Sequence, residues 1–584
     1  MPRIYRLVAA ALAVAALLLL ALPAEAHANL VRSVPPAGAT LEAAPPSIEL
    51  EFSEELDASF SSAQLFDSQN QLIEKGPGQV EPANSKLLRL IIPDLAKGSY
   101  TVLWRVRSAA DGHITEGSVP FGIGTPPAAG SLIPPPGAPD PATLPPPPLD
   151  TAARWLNFLA AMVALGGVPF ALLVWRPAYR RWAAAEPDAA DRRGEADQAI
   201  TTFLRRLLLV GGLAFVLSNM LFLLTQAAAA ANVSLAQALG LPLFQLLSGR
   251  AGLLWLARLA LIAQLIVLSW RMPLAGGGAA RLWWIALLIG GAALLTMSML
   301  SHAAASQQAP VAVLVDWLHL AASAAWLGGL PPLLAALARA RRSPERAMPL
   351  ALLIPGFTRV SLPSVLALAL TGLYNYYLHV GSLDLLAATT YGRALSLKLA
   401  LFVLLVALGA INLLVLTRRI RRAGQPQTRA FGRTVSAEIA VGALVLLLAG
   451  ALTSVAPSVA AWQAHEQQGI AQSASVGDVG LTLRIAPAQI GDNEFAVDVG
   501  DRRPGAAAAQ TKVLLRFDMQ GMQMNKLQTE ATASGGERYV ARGNFTTMGG
   551  RWHIEVVLRR AGFDDVRHTF EVDILSGAPI TIEQ

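Results

Sequence analysis

Eight apolar blocks fill the middle of this 584-residue chain, and each is long enough to cross a lipid bilayer. A helix needs about 20 mostly apolar residues to cross the hydrocarbon core, and it satisfies all of its backbone polar groups internally. The sequence therefore predicts a central all-α transmembrane bundle of eight helices over 150–457. The predicted spans are roughly 153–176, 204–227, 251–270, 281–302, 310–338, 358–380, 393–416 and 434–456.

The arginines predict the orientation of this bundle. They concentrate in the first, third, fifth and seventh connections between spans, whereas the other connections are nearly free of positive charge. By the positive-inside rule the arginine-rich connections are cytoplasmic, so both termini face outward from a cytoplasmic (inner) membrane. The net charge of +7 then comes largely from arginines that set the orientation in the membrane, so we expect no nucleic-acid partner. The chain has no cysteine, so soft metal ligands can only be methionine and histidine.

The N-terminus reads as a secretory signal peptide over 1–26. Arg3 and Arg6 precede a short apolar run, and the small residues Ala24 and Ala26 suit signal peptidase. Cleavage after Ala26 would leave His27 first, with a free amine beside its imidazole. These two nitrogens can chelate one metal ion, and Asp111 and His113 of a later Asp-Gly-His tripeptide could complete a site suited to Cu(II).

Both flanks of the bundle alternate between apolar and polar residues, as antiparallel strands do. Residues 27–124 predict a small β-sandwich or barrel, and residues 475–576 predict an immunoglobulin-like sandwich. A proline-rich linker at 125–149 follows the first β domain, and a polar linker at 458–474 precedes the second. Since the first linker is of polyproline type, we expect it to tether the N-terminal domain near the membrane without fixing it there.

The N-terminal domain resembles the copper-resistance protein CopC over nearly its whole length. The resemblance rests on His27-Ala28-Asn29-Leu30, Phe52-Ser53-Glu54, Gly98-Ser99-Tyr100, Trp104-Arg105-Val106 and Asp111-Gly112-His113. It implies a cupredoxin-like or immunoglobulin-like barrel whose Cu(II) ligands are His27 with its amine, Asp111 and His113. Some members of that family also bind Cu(I) through a methionine-rich loop. Residues 27–124 contain no methionine, so we expect only Cu(II) to bind here.

Several ionisable and sulfur-bearing residues lie within or beside the predicted spans, where polar groups are costly and tend to be functional. Asp316 and His319 share a face of span five. Four further residues fall towards the outer half: Met297, Met299, His302 and His379. Together they predict a descending path for a copper ion. Arg258 is expected to snorkel or to pair with an acid, and Glu438 to lie at the interface.

The membrane region resembles the copper-resistance protein CopD over most of 152–457. The resemblance rests on Ser301-His302-Ala303, Asp316-x-x-His319, Trp326-x-Gly328-Gly329 and Tyr391-Gly392-Arg393 before Lys398. It implies a metal path through His302 and His319, whereas Asp316, Met297, Met299 and His379 join that path by position only. Fused CopC–CopD chains are associated with copper uptake, and this chain is similar to them.

The C-terminal domain carries a methionine cluster, Met519, Met522 and Met524, with Met548 nearby in sequence. Thioethers suit Cu(I), so this domain is a candidate Cu(I) site, although ordinary packing explains the cluster equally well. His553 alternates with two apolar neighbours and should face away from the core. The stretch 475–576 resembles YtkA-like domains.

Three hypotheses follow for the whole chain. The first is a copper transport protein that is not an enzyme, with copper ions, the lipid bilayer and extracytoplasmic copper chaperones as its partners. The second is a redox protein, such as a cupric reductase, with a haem held between His302 and His379. The third is a periplasmic copper-sequestering protein with a membrane anchor. No nucleotide-binding loop of the GxxxxGK[ST] type occurs, so ATP does not drive the chain directly.

Overall fold

The computed structural model describes most of the chain. The described residues are 28, 30–36, 39–67, 71–76, 78–110, 112–124, 142–188, 190–272, 279–306, 308–342, 350–416, 428–462, 469–486, 488, 491–501, 511–519, 527–534, 537–546 and 550–574. They form an N-terminal β domain, a helical membrane domain and a C-terminal β domain, as the sequence predicted.

The N-terminal domain is a sandwich of two sheets with strand orders β1-β3-β7-β6 and β2-β9-β8-β4-β5. Its strands are β1 (Leu30–Val34), β2 (Thr40–Leu41), β3 (Ser47–Phe52), β4 (Ser62–Asp67), β5 (Leu72–Gly76), β6 (Gln79–Glu81), β7 (Asn84–Ile91), β8 (Gly98–Arg107) and β9 (Ile114–Ile123). Alternate residues of β3 and β8 fill the core between the sheets, as the period-two pattern predicts. The core residues contributed by these two strands are Ile48, Leu50, Phe52, Tyr100, Val102, Trp104 and Val106.

The membrane domain contains eight helices that are long and apolar enough to span a bilayer, counted over the described residues. Its α-helices are α1 (Pro148–Pro169), α2 (Arg176–Ala185), α3 (Ala190–Ala231), α4 (Leu235–Ala238), α5 (Leu241–Ser248), α6 (Arg250–Arg271), α7 (Ala279–Ser298), α8 (Ala309–Trp326), α9 (Leu330–Arg342), α10 (Leu350–His379), α11 (Leu385–Ala388), α12 (Thr390–Ile411) and α13 (Thr428–Leu452). Short π-helices extend α1 (Phe170–Trp175) and α12 (Asn412–Leu416). Short 3₁₀ turns follow α7 (His302–Ala305) and α8 (Leu327–Gly329).

Helix α1 and the 3₁₀ turn after α8 pack backbone against backbone. A Cβ atom at Gly328 would overlap the carbonyl oxygen of Met162 and would lie 2.7 Å from the Cα of Gly166. Only glycine permits so close an approach. The turn follows Trp326 directly, so this crossing fixes the lower end of α8, the helix that carries Asp316 and His319.

The C-terminal domain is one antiparallel sheet of eight strands in the order β10-β11-β12-β15-β14-β13-β16-β17. Its strands are β10 (Ile470–Val476), β11 (Val479–Ala486), β12 (Gly491–Asp501), β13 (Thr511–Met519), β14 (Leu527–Ala533), β15 (Arg538–Thr546), β16 (Gly550–Arg560) and β17 (Val566–Ile574). The sheet folds round a core that includes Phe495, Phe517 and Trp552. Its two edge strands meet, because Gln472 Nε2 donates to the carbonyl oxygen of Glu571 at 2.8 Å. The predicted sandwich is therefore closed in the manner of a barrel.

An ion-pair network supports the middle of this second β domain, where no disulfide is available. Asp498 accepts from Arg538 Nη2 at 2.7 Å and lies 2.9 Å from Arg484 Nε. Burial alone would raise the pKa of Asp498. The hydrogen bonds and positive charges of the two arginines outweigh burial and hold that pKa below its ordinary value of 3.8. The carboxylate therefore stays charged near neutral pH and ties β11, β12 and β15 together.

Substituting Gly328 tests the close helix crossing. We expect Gly328→Ala to lower the free energy of unfolding by about 1–3 kcal/mol or more, because the added methyl group forces the helices apart. Gly194→Ala is the matched control, since a Cβ there meets nothing within 4 Å. The measurement is thermal unfolding of the full chain in detergent. Equal melting temperatures for the two variants would contradict the close crossing.

Candidate functional site

The N-terminal domain docks on the membrane domain through Arg105 of β8. Its Nη1 donates to the carbonyl oxygen of Ala230 at 2.7 Å, and its Nη2 donates to that of Ala229 at 2.9 Å. These carbonyls end α3, where backbone acceptors lack intrahelical partners and the helix dipole is negative. Glu116 accepts from Arg105 Nε at 2.7 Å and orients the guanidinium. One arginine thus fastens the β domain to a helix end.

An aromatic side chain completes this docking contact. Phe60 of the β domain is buried in a cluster with Leu223, Ala227 and Trp255 of the membrane domain. Residues 125–141 of the linker lie outside the described residues, but the expectation that the domain is tethered without being fixed is wrong. The contacts made by the domain itself hold it in one place over the membrane domain.

Gly112 and His113 lie at this interface. Gly112 has φ of +78°, which favours glycine, and a Cβ there would lie 2.6 Å from Arg107 Nη2. The carbonyl oxygen of His113 accepts from the backbone nitrogen of Ser108 at 2.8 Å. The turn therefore presents His113 at the start of β9, facing the membrane domain.

The first described residue, Ala28, is anchored beside His113. Ala28 is 1% exposed, and its carbonyl oxygen accepts from Thr115 Oγ1 at 2.7 Å. Thr115 lies two residues beyond His113 on β9. His27 and Asp111 lie outside the described residues, so the three-ligand Cu(II) site stays a prediction.

Three histidines from two domains lie in contact. The ring centroids of His113 and His302 are 4.6 Å apart with planes at 27°, and those of His302 and His379 are 5.7 Å apart. His302 and His379 are each only 7% exposed. The sequence placed His302 and His379 at the outer ends of spans four and six, but the contact with His113 comes only from the folded chain.

Two cavities meet beneath these rings. The docking cavity, of about 110 Å³, lies between the domains and is lined by His113, Arg258, Met297, His302 and Asp316, among others. The central cavity, of about 420 Å³, lies deeper among the helices and is also lined by His302 and Asp316. Because both cavities share these two residues, the polar groups form a continuous course from the β domain into the bundle.

The upper part of this course is organised by Asp316. Its Oδ2 accepts from Ser301 Oγ at 3.0 Å, which draws the 3₁₀ turn bearing His302 onto α8. His302 is close enough to Asp316 to interact with it electrostatically. An aspartate beside an imidazole lowers the cost of holding a cation at this depth.

His319 lies deeper in the central cavity, with its ring against Thr371. Thr371 Oγ1 lies 2.6 Å from the carbonyl oxygen of Ala367 and 2.8 Å from His319 Nδ1, and a hydroxyl that donates to that carbonyl accepts from Nδ1. The proton then sits on Nδ1, and Nε2 keeps its lone pair for the cavity that the side chain lines. Histidine ligands to metals are oriented by a partner of this kind on the other ring nitrogen.

Two polar residues of α12 line the central cavity without having been assigned a role from sequence. Lys398 interacts electrostatically with both Asp316 and His319, and the Tyr391 ring lies 6.5 Å from that of His379. The sequence did contain a signal for Lys398, since a lone lysine within an apolar block is unusual. Its approach to Asp316 required the packing of two separate helices.

The remaining predicted residues of the membrane path divide into two groups. Met297 is 9% exposed and lines the docking cavity, whereas Met299 is half-buried and lines neither cavity.

The expectation for Arg258 is wrong. It is buried and donates to Asn219 Oδ1 at 3.1 Å, and also to Thr296 Oγ1 and the Thr296 carbonyl oxygen. Neutral acceptors, not an acid or the lipid surface, satisfy its guanidinium.

The arrangement is a series of positions and not a single cage. Among the described residues, no group of three or more His, Asp or Glu side chains is placed to hold one metal ion together. The His113, His302 and His379 rings follow one another, with His319 further down. Such a series suits an ion that moves between ligands, since each position can bind it and then release it.

The same geometry bears on the haem hypothesis. A haem requires a flat macrocycle between its two axial imidazoles. The rings of His302 and His379 are 5.7 Å apart and tilted by 59°, and the His113 ring stacks against that of His302. This crowding favours a small ion over a macrocycle.

The methionine cluster of the C-terminal domain falls largely outside the described residues. Met522, Met524 and Met548 are among those not described, and Met519 is the last residue of β13. Its Cu(I) site therefore stays a prediction. The expectation for His553 is confirmed, since it is half-exposed while both of its neighbours are buried in the core.

Comparison with known proteins identifies the domains. Sequence profiles match for the CopC domain at residues 30–124, for the copper resistance protein D-like N-terminal domain at residues 146–310 and for copper resistance protein D at residues 351–452. The chain is 26% identical to the copper transport protein CutJ of Bacillus subtilis (strain 168) over 567 residues, which cover 93% of this chain and 95% of CutJ.

Two further relatives match the N-terminal domain alone. Copper resistance protein C of Pseudomonas syringae pv. tomato is 40% identical over 106 residues, covering 17% of this chain and 82% of that protein. The crystal structure of CopC from Methylosinus trichosporium OB3b is 35% identical, covers 17% of this chain and 93% of that one, and has a TM-score of 0.15.

The fold and the profiles together define a class, namely polytopic membrane proteins that carry a β domain docked over a polar cavity. Within that class the chain belongs to the copper resistance family, with a CopC domain and both CopD regions fused in one polypeptide.

Removing Arg105 tests the docking contact. The chain has no cysteine, so His113→Cys with His302→Cys can be joined by a short thiol cross-linker in otherwise native protein. Adding Arg105→Ala should lower the docked population on the order of tenfold, because two charge-assisted hydrogen bonds are lost. The measurement is the cross-linked fraction in membranes. Arg32→Ala, an arginine 67% exposed, is the matched control, and equal cross-linking in both would contradict the docking.

Proposed function

We propose that this chain transports copper across the cytoplasmic membrane, capturing Cu(II) on its N-terminal domain and passing it into the membrane domain for uptake. The observation that carries this proposal is the contact between His113 and His302, whose rings stack at 4.6 Å across the domain interface. A ligand of the capture site and the first residue of the membrane path then lie close enough for one ion to pass between them.

The proposed capture site consists of His27 with its free amine, Asp111 and His113. Its support is the CopC resemblance together with the anchoring of Ala28, the residue that follows His27, to Thr115. An amine and two imidazoles with a carboxylate form a nitrogen and oxygen donor set that suits Cu(II). Relatives named for copper transport and copper resistance support the same cargo.

Beyond the interface, the proposed path runs through His302, His379 and Asp316 to His319. The lone pair on His319 Nε2 supplies a ligand, and the carboxylate of Asp316 offsets the cation's charge. Lys398 opposes that attraction from the same cavity. A conducting site must attract an ion without trapping it, and the opposed charges of Asp316 and Lys398 meet that requirement.

The proposed orientation places both β domains outside the cytoplasm. The docked domain contacts the end of α3 and the turn bearing His302, and both belong to connections that carry almost no arginine. Two independent criteria, loop charge and domain docking, therefore agree. Extracytoplasmic copper chaperones would deliver the ion on this side, and the C-terminal methionine cluster would be a secondary Cu(I) site there.

The sequestration hypothesis is weaker than transport on structural grounds. Sequestration requires only the exported domain and an anchor. An anchor needs only apolar helices, whereas this domain encloses a central cavity of about 420 Å³ that ionisable residues line. Such residues are costly to hold in a bilayer.

Cu(II) capture is tested by electron paramagnetic resonance of the purified full chain. We expect one bound Cu(II) with nitrogen couplings in the wild type, and His113→Ala should lower the affinity by about tenfold or more, since an inner ligand is lost. His568→Ala, a histidine of the C-terminal domain, should leave the spectrum unchanged. An unchanged spectrum in His113→Ala would remove this histidine from the capture site.

Passage through the membrane is tested with His319→Ala. We expect cytoplasmic copper, measured by mass spectrometry in a copper-limited host, to rise with the wild type and to fall back to the level of the empty vector with the variant, because the deep ligand is gone. His553→Ala is the control and should behave as the wild type. Copper that stays in the envelope fraction, whichever variant is expressed, would overturn the transport proposal.

A further inference from the structure

A third cavity lies in the half of the bundle away from the docked domain. This far cavity, of about 180 Å³, lies among α8, α9, α10, α12 and α13, and Glu438 and Asn412 line it. Glu438 is 3% exposed, so the expectation that it lies at the interface is wrong. The mechanism proposed above makes no use of this carboxylate.

The carboxylate of Glu438 is held in place by a short polar chain. Asn412 Nδ2 donates to Glu438 Oε1 at 2.5 Å, and Thr434 Oγ1, one turn earlier on α13, donates to Asn412 Oδ1. Asn412 begins the π-helix Asn412–Leu416 that ends α12. Insertions of this kind are common at functional sites, because they turn a side chain out of its helical register.

Among the described residues, no counter-ion lines the far cavity with Glu438. Among the described residues of its wall, Glu438 is the only ionisable one, and the other polar groups there are Thr358, Ser361, Asn412 and the Trp326 indole. The charged residues nearest in sequence on the adjoining helices, Arg359, Arg429 and Arg433, are not part of the wall. A carboxylate in a bilayer without a counter-ion is costly when charged, so it favours binding a cation.

The chemistry of the wall selects among cations. The described residues contribute no imidazole and no thioether, which are the donors that suit Cu(I) and that recur along the copper path. An alkali cation needs several oxygen ligands arranged around it. One carboxylate in an apolar cavity is sufficient for a proton.

The far cavity adjoins the copper path at a single aromatic residue. Trp326 lines both the far cavity and the central cavity, and it packs edge-on against Phe402 with centroids 6.2 Å apart. The 3₁₀ turn Leu327–Gly329 interrupts the helix immediately after Trp326. A shift of the Trp326 side chain would therefore change the shape of both cavities.

We propose that Glu438 is a proton-binding site whose loading and release accompany the passage of the cargo past Trp326, so that a pH gradient contributes to driving transport. The proton is taken up from water on one side of the membrane, is held on the carboxylate and is released to water on the other side, so that its net movement follows the pH gradient. This coupling rests on the transport function proposed above, whereas the proton site itself does not.

The proton site is tested without copper by infrared spectroscopy of the full chain in liposomes. We expect a carboxylic acid C=O band that appears and disappears with pH and that is lost in Glu438→Gln. Asp191→Asn, an exposed acid at the start of α3, should retain the band. Where Glu438→Gln does not fold, Asn412→Ala serves, and it should move the pH range over which the band titrates. A titrating band that is unchanged in these Glu438 and Asn412 variants would overturn the site.

Coupling is tested in the same liposomes with copper outside and an imposed pH gradient. The wild type and Asp191→Asn should change their rate of copper entry with the gradient, and Glu438→Gln should lose that response. A full response in Glu438→Gln overturns the coupling, as does a response to a sodium gradient alone. If the wild type moves no copper, the transport proposal has failed, and the infrared band still decides the proton site.

Discussion

The arginine contact between β8 and the end of α3 is the interaction on which the functional arrangement depends. Arg105 gives two hydrogen bonds to carbonyls that the helix itself cannot satisfy, and Phe60 fills the apolar surface beside them. Without these contacts the N-terminal domain would be a separate β-sandwich on a long linker. With it, His113 is stacked on His302.

Below this contact, the membrane domain combines rigid crossings with internal polar groups. The close approach of Gly166 and Gly328 holds α1 against the turn that follows α8, and α8 carries Asp316 and His319. Two of these polar side chains have neutral partners, namely Thr371 for His319 and Thr296 for Arg258. Internal hydrogen bonding of this kind suits a bilayer, where a polar group without a hydrogen-bond partner costs free energy. The cavities therefore persist within a well-packed bundle.

Much of the architecture could be predicted because its signals are local. The alternation of apolar and polar residues predicted both β domains, and the length of the apolar blocks predicted eight spans. The spacing of Asp316-x-x-His319 placed two polar groups on one helix face. The errors have a common cause. Arg258, Glu438 and the linker were judged from their own segments, yet Asn219, Asn412 and Arg105 decide their surroundings, and these lie on other elements.

The sequence by itself determined the fold classes, the copper-resistance family and the histidines that are candidates for the metal path, since periodicity, span length and short motifs are properties of contiguous residues. Tertiary structure alone decided that the β domain is docked, that His113 meets His302, that Lys398 faces Asp316 and that Glu438 lies in a cavity of its own. Those pairings join residues up to about 190 positions apart, and only the packing of separate elements brings them together.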